Sequence, residues 1–321
     1  PPSEAEKQAS FAKVFEVDTA VIVDPDNSIC KLIELALKEL GFANLNIFYD
    51  GLSALQWLES NPAPHAIIQE WKLPKVSGVA LVQRIRQIYT NYVPIFVISS
   101  LLKKEDLSLL KEIGVSAIIE KPPQKSIFIA TFTNVIRNEK RLSNAGSVEN
   151  LIRQALFKNN LDQAKKLFEN YLTLNPEESN KKIFEAEIAL AEKNYERAKE
   201  LAMEAFRLKA DTVLALNTLG KILLKVGDTE SAIKCFARAK ELSPKNLERL
   251  CLLSEAYSET GNKDAAEDIV NQAKSIDAKN PRVIETEAKI AIASGNITSA
   301  KEALSKLNSF MNVIAYMNNR A

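Results

Sequence analysis

Histidine is nearly missing from these 321 residues, with His65 the only one. A zinc site built from several imidazoles is therefore excluded, as is a triad needing more than that one base. Cysteine is scarce too. Cys30, Cys235 and Cys251 stand in helix-patterned stretches and none belongs to a CxxC pair. They are expected as small, reduced core residues rather than metal ligands or disulfides. No apolar run approaches the roughly 20 residues of a membrane-spanning helix, and no signal peptide is expected. These absences predict a cytoplasmic protein with no membrane insertion. Charge of one sign is also lacking: 42 Lys and Arg balance 41 Asp and Glu, a net of +1. That balance gives no drive toward nucleic acid, and no helix-turn-helix cue, basic stripe or aromatic platform points to it. There is no phosphate-cradling loop and no nucleophile–base pair, so no enzyme activity, metal or cofactor is expected. The chain begins at Pro1 rather than Met, and trimmed ends are expected.

What is present falls into two halves with different periods. Up to about residue 140, short β-branched runs alternate with helix-patterned stretches. The runs are "TAVIVD", "LNIFYD", "AIIQE", "PIFVISS" and "SAIIEK". Five strands alternating with five helices predict an α/β doubly wound fold with a five-stranded parallel sheet covered on both faces. The strands are nearly all apolar, as burial on both faces requires. Sites in such sheets form at the carboxyl ends of the strands, where Asp24, Glu70, Ser99 and Lys121 fall.

After residue 147 strand signals stop. Ala164, Ala198, Ala232, Ala266 and Ala300 recur at a constant spacing of 34. That period predicts an all-α solenoid of about five helical hairpins similar to tetratricopeptide repeats. The third unit carries Gly220, Ala232, Phe236, Ala239 and Pro244; the second is the weakest, with Ala202 and Ala210 at the aromatic and proline positions. "FMNVIAYMNNRA" is expected to cap the last repeat. The predicted organisation is a polar arm over 1–17, an α/β domain over 18–140, a linker over 141–147 and the repeats over 148–321.

The first half resembles a response-regulator receiver domain, with the flavodoxin-like CheY fold, over roughly residues 18–140. "AVIVDPDNSICKLIELALKELGF" matches its first strand and helix. "EWKLPKVSG" matches its phosphoacceptor loop, with Pro74 and Gly78 fixing the register on Glu70. "VPIFVISS" and "GVSAIIEKPP" match its fourth and fifth strands. The resemblance implies a pocket in which two acids after the first strand and one after the third hold Mg²⁺, the third-strand Asp accepts phosphate, and a hydroxyl and a lysine bind the new phosphate.

Against that pattern Asp24, Ser99 and Lys121 are kept. Pro25 stands at the second acidic position and supplies neither carboxylate nor N–H. Asp26 follows, where a helix N-cap is the expected role. Glu70 replaces the phosphoacceptor, and Ile118 replaces the aromatic switch residue. Trp71 is expected as a packing aromatic, and Lys72 as a surface lysine or a counter-charge to Asp24 or Glu70. Glutamate reaches one methylene further than aspartate, so Lys121 and Ser99 could bind its carboxylate as they would bind phosphate. Two readings stand: a domain held in one signalling state, or a decayed pocket whose ion pair keeps the fold. Both give a pseudo-receiver without Mg²⁺-dependent phosphorylation. The alternative is a regulator still phosphorylated at an atypical carboxylate and relaying that signal to the repeats.

The repeats imply protein partners in a concave groove lined by first helices, with candidate contacts Arg153, Asn217, Lys221, Lys225, Glu255, Glu259, Arg282 and Lys289. In "SIFIATFTNVI", Ile127, Phe128, Ile129 and Phe132 cannot all point inward. They predict a covered face at the fourth helix, fifth strand and fifth helix of the receiver, occupied by a second copy or by the repeats. The function expected is that of a bacterial signalling adaptor or scaffold.

Overall fold

The computed structural model describes residues 10–89, 92–100, 102–139, 144–307 and 313–314. Its contacts divide the chain into two compact units, 1–176 and 177–321.

The first unit begins with the α/β layers. Strands β1 (Thr19–Val23), β2 (Asn44–Phe48), β3 (Ala66–Glu70), β4 (Ile95–Ser99) and β5 (Ala117–Glu120) form one parallel sheet in the order β2-β1-β3-β4-β5. Strands β3 and β4 are buried along their whole length, which is why they read as unbroken apolar runs. Helices α2 (Asn27–Glu39) and α6 (Lys125–Glu139) pack a core with Ile22, Ile68, Phe96 and Ile98 on one face. Helices α3 (Gly51–Ser60), α4 (Gly78–Ile88) and α5 (Lys104–Glu112) cover Val21, Val23, Ile67 and Val97 on the other. Alternation along each strand assigns its residues to opposite faces.

The polar arm is more ordered than its composition suggests. Residues 1–9 lie outside the described part, but Phe11–Val14 forms a short helix, α1, capped by Ser10. Ala12 and Val17 are buried in the core beside α2, and the Phe11 and Phe15 rings sit 4.6 Å apart.

Among the described residues, the helices from Ala145 to Ser305 make five hairpins. The first, α7 (Ala145–Phe157) with α8 (Leu161–Thr173), groups with the α/β layers. The division therefore falls after Pro176 rather than near 148, and the expected linker is partly helix from Ala145. Side-chain contacts at the lower end of the sheet supply the reason. Ser147 Oγ donates to the Asn138 carbonyl at 2.6 Å. Asn150 of α7 lies beside Tyr92 and Glu139. Behind them Arg86 donates to the carbonyls of Val93 and Gly114 at 2.7 Å and of Ile113 at 3.1 Å, and lies 4.4 Å over the Tyr92 ring. A buried guanidinium is tolerable only with donors satisfied in this way.

The second unit holds α9 (Glu178–Ala191) to α16 (Ile297–Ser305), with α10 (Tyr195–Leu208), α11 (Val213–Lys225), α12 (Thr229–Leu242), α13 (Leu247–Glu259), α14 (Lys263–Asp277) and α15 (Pro281–Ser294) between. Each helix pairs with its neighbour, and each hairpin stacks on the next, making a helical solenoid. The period-34 alanines all lie on second helices and are buried. Gly220 has the clearest steric reason to be glycine. A Cβ there would meet the Phe236 ring at 2.7 Å. Of the expected capping segment only Val313–Ile314 is described, and Val313 packs against Ile284, Ala288 and Ala303.

Replacing Gly220 with Val should lower stability by about 1–3 kcal/mol through overpacking. The expected result is a lower urea midpoint for the repeat transition with an unchanged slope, and an unchanged midpoint would contradict the close helix approach.

Candidate functional site

The parallel register brings the carboxyl ends of four strands to one edge. Glu70 is opposite Ile98, and Ser99 is opposite Glu120, one residue before Lys121. Asp24 follows β1 directly. At this edge the strand order reverses direction around β1 and β3, where open α/β sheets place their sites. Gly78 lets the loop after β3 turn tightly, since a Cβ would lie 2.5 Å from the Trp71 carbonyl oxygen.

Asp24, Glu70, Ser99 and Lys121 come together as the strand ends predict. The Lys121 ammonium sits between two carboxylates, 2.6 Å from Asp24 Oδ2 and 2.5 Å from Glu70 Oε2. Asp24 and Glu70 are buried, at 1% and 6% exposure, so this ammonium offsets charge that water cannot reach. Backbone donors complete the arrangement. The N–H of Trp71 donates to Glu70 Oε1 at 2.6 Å and that of Lys72 at 3.1 Å, while the N–H of Asp26 donates to Asp24 Oδ1 at 2.9 Å. Ser99 Oγ is buried without a well-aligned hydrogen bond, yet it faces Glu70 closely enough to help hold that carboxylate ionised.

The two acids respond differently. Burial pushes the Asp24 carboxyl up, and Lys121 and the Asp26 N–H only partly offset that. Burial also works against ionised Glu70, but the hydrogen bonds from Lys121, the Lys72 N–H and Ser99 outweigh it and hold the carboxyl below its ordinary value. Lys121 loses hydration but gains two carboxylates, and its ammonium is held above the usual lysine range.

Neighbouring positions settle into structural roles. Asp26 caps α2 by accepting from the Ser28 N–H. Trp71 is buried in the core under α4, and Lys72 is exposed, contributing its backbone N–H. Pro25 is exposed at the rim, and Ile118 is 45% exposed on the edge strand β5. A divalent cation with octahedral oxygen ligation would find two carboxylates here, both directed at the ammonium. That donor set does not fit it. Among the described residues no group of three or more His, Cys, Asp or Glu side chains converges as a metal site. Gln69 was not singled out from sequence. It is a buried amide on β3 whose Nε2 donates to the Gly78 carbonyl at 3.2 Å, pinning the same loop. One polar residue inside "AIIQE" was the available signal.

Two sets of expected contact residues need correction. Phe128 and Phe132 are fully buried, Phe132 stacks with both Phe96 and Phe128 in the core, and Ile129 packs against that core; Ile127 alone of the four stands out, at 52% exposure. The helix is broadly apolar because it covers both the sheet and α2, which places three of the four inward and leaves only Ile127 outside. On the repeats, Glu255, Arg282 and Lys289 are not open charges. Arg282 Nη1 and Lys289 Nζ lie 2.7 and 3.1 Å from Glu255 Oε1, and Lys289 also pairs with Glu285 at 2.6 Å. Asn217 accepts from Arg249, a buried arginine missed in the sequence, at 3.2 Å. Lys221, Lys225 and Glu259 are exposed. Arg153 belongs to the first unit and pairs with Glu149 at 3.9 Å.

Residues 20–132 match the family model of the response regulator receiver domain, and residues 223–290 match that of the tetratricopeptide repeat. Over 103 residues the chain is 28% identical to chemotaxis protein CheY-3 of Vibrio cholerae serotype O1, covering 32% of this chain and 78% of that one. Among solved structures, chemotaxis response regulator CheY4 of Vibrio cholerae is 21% identical, with 37% of this chain and 98% of that one covered and a TM-score of 0.33. A crystal structure of MamA protein is 17% identical, with 50% and 88% covered and a TM-score of 0.41.

Removing the shared cation should be costly. Lys121→Met leaves two buried carboxylates without a counter-charge, a loss of about 3–5 kcal/mol at neutral pH. In the variant both acids repel and shift upward, so protonation relieves the strain and stability should recover as pH falls. The native pocket behaves oppositely for Glu70: a lowered carboxyl contributes above its ordinary value and loses that contribution as pH falls through the lowered one. Urea melts at neutral and mildly acidic pH check both signs; equal stability of variant and native protein at neutral pH would remove the ion pair from the account.

Proposed function

We propose that this chain, a response regulator receiver domain fused to tetratricopeptide repeats, is a bacterial cytoplasmic signalling adaptor whose receiver works without phosphorylation and whose repeats dock protein partners. The observation that carries this reading is the Lys121 ammonium held by Asp24 and Glu70. A receiver that switches by phosphate needs a free acceptor carboxylate and a divalent cation beside it. Here the acceptor position is a glutamate already bound by Lys121 and two backbone N–H groups. The position of the second metal-binding acid holds Pro25, which has no carboxylate.

Those contacts favour a held pocket over a decayed one. Glu70 places its two oxygens on separate donors, an ammonium on one side and backbone amides on the other. Charge-assisted bonds of this kind are the strong ones. A single carboxylate carries less charge than a phosphoryl group and fewer acceptor oxygens, which accords with a Ser99 hydroxyl left poorly engaged. The reading of Glu70 as an atypical phosphoacceptor has the opposite requirement, an oxygen free to attack. A homodimer through the fourth helix, fifth strand and fifth helix of the receiver rests on Ile127; Ile127→Asp should lower the solution mass if that face pairs, and an unchanged mass removes the homodimer.

Incubation with acetyl phosphate, or with beryllofluoride and Mg²⁺, is expected to leave the intact mass and the tryptophan fluorescence unchanged. The variant combining Pro25→Asp with Glu70→Asp is expected to regain a Mg²⁺-dependent response. An adduct on Glu70 of the native chain would reject the phosphorylation-independent reading.

A further inference from the structure

The first helices of the second unit carry a charge ladder set by the 34-residue period. Glu187, Lys221, Glu255 and Lys289 occupy equivalent positions on α9, α11, α13 and α15, with alternating sign. Most of its rungs are closed. Glu187 Oε1 accepts from Thr218 at 3.1 Å. Glu255 is taken by Arg282, Thr286 and Lys289, at 2.7, 3.2 and 3.1 Å through Oε1. Burial works against the Glu255 carboxylate, but Arg282 and Lys289 together outweigh it and keep the carboxyl below its ordinary value. Lys221 is the exception. Neither it nor Lys225, one turn further along α11, has an ion pair among the described residues, and both are exposed.

Two ammonium groups at i and i+4 on one helix are about 5–6 Å apart at Cβ and repel mildly. A ligand that presents two carboxylates at similar spacing removes that repulsion and completes the ladder. The flanking side chains restrict what that ligand can be. Partly buried Leu190 on α9 and Leu224 beside the lysines offer apolar contact. Acids bound the site on both sides: Glu187 precedes it on α9, and exposed Glu259 follows it on α13 in register with Lys225. A long polyanion would run across those acids and be repelled, whereas a short acidic segment would end within the basic step. Charge complementarity thus selects a short acidic, amphipathic peptide over nucleic acid.

We propose that Lys221 and Lys225 form the recognition point of the repeat surface for a short acidic segment of a protein partner, with its apolar side chains seated on Leu190 and Leu224. This rests on the reading of the repeats as a docking surface. Specificity comes from the open rung; the closed rungs of α13 and α15 keep the neighbouring charges from competing for the ligand.

The test uses the full chain and three fluorescent probes: a peptide of alternating Glu and Leu, the same peptide with Gln for Glu, and single-stranded DNA of matching charge. The acidic peptide should bind about tenfold tighter than the Gln peptide, a gap of about 1.4 kcal/mol, and more weakly as salt rises. Lys221→Glu with Lys225→Glu should erase that preference and confer one for a Lys–Leu peptide, a gain that a misfolded variant could not show. Lys234→Glu, an exposed lysine on the second helix α12, should change nothing. Equal binding of the acidic and Gln peptides overturns the charge recognition while leaving a docking surface; binding of neither overturns both readings. DNA binding as tight as the acidic peptide would make this a polyanion site and overturn the proposal.

Discussion

The receiver half depends on one ammonium group. Lys121 follows an edge strand, and Asp24 and Glu70 follow two central ones, so three chain segments meet at a single charge. Two carboxylates at such low exposure would be untenable by themselves. With Lys121 between them and three backbone N–H groups aimed at their other oxygens, most of the acceptors are met. The arrangement also constrains the loops. Gly78 must stay small to let the backbone after β3 approach, and Gln69 ties that loop back to the strand. The ion pair, the tight turn and the buried amide therefore form one structural unit.

The repeat half is held by shape rather than charge. Its invariant is a small residue at one place in each second helix, repeated every 34 residues, with a ring from that same helix against Gly220 in the clearest unit. Close approach of helix backbones makes volume the controlling quantity, and interiors at this density tolerate little extra volume. Charges on the first helices are secondary to packing but not random. Some pair across successive hairpins, as in Glu255 with Arg282 and Lys289.

Much of this was legible in the sequence, for reasons that differ between the halves. The five parallel strands and the Asp24, Glu70, Ser99 and Lys121 edge follow from alternating apolar runs, because parallel strands must all end their carboxyl sides together. The five hairpins follow from an exact period. What the pattern could not carry is pairing in three dimensions. Phe128 and Phe132 looked surplus to one buried face, yet α6 covers both the sheet and α2 and buries them. Glu255 and Arg282 looked like groove charges until adjacent helices brought them together. The docking of α7 against Tyr92 and Glu139 depends on side chains far apart in the chain, and periodicity has no term for them.

The asymmetry between the two acids follows from depth and donor count together. Both touch the same ammonium, but Asp24 is the more deeply buried and also faces the charge of Glu70. Asp24 receives one further backbone N–H, from Asp26, and its carboxyl is pushed up. Glu70 receives N–H groups from Trp71 and Lys72, faces Ser99, and is held down. Each added donor stabilises the ionised form, and hydrogen bonds to a carboxylate accumulate until they exceed the desolvation cost. The extra methylene of glutamate matters for this reason: it carries Oε2 to Lys121 while leaving Oε1 beneath the two amides that open the loop. The longer acid at the end of β3 is therefore the more firmly charged of the pair, and it shares the ammonium with Asp24.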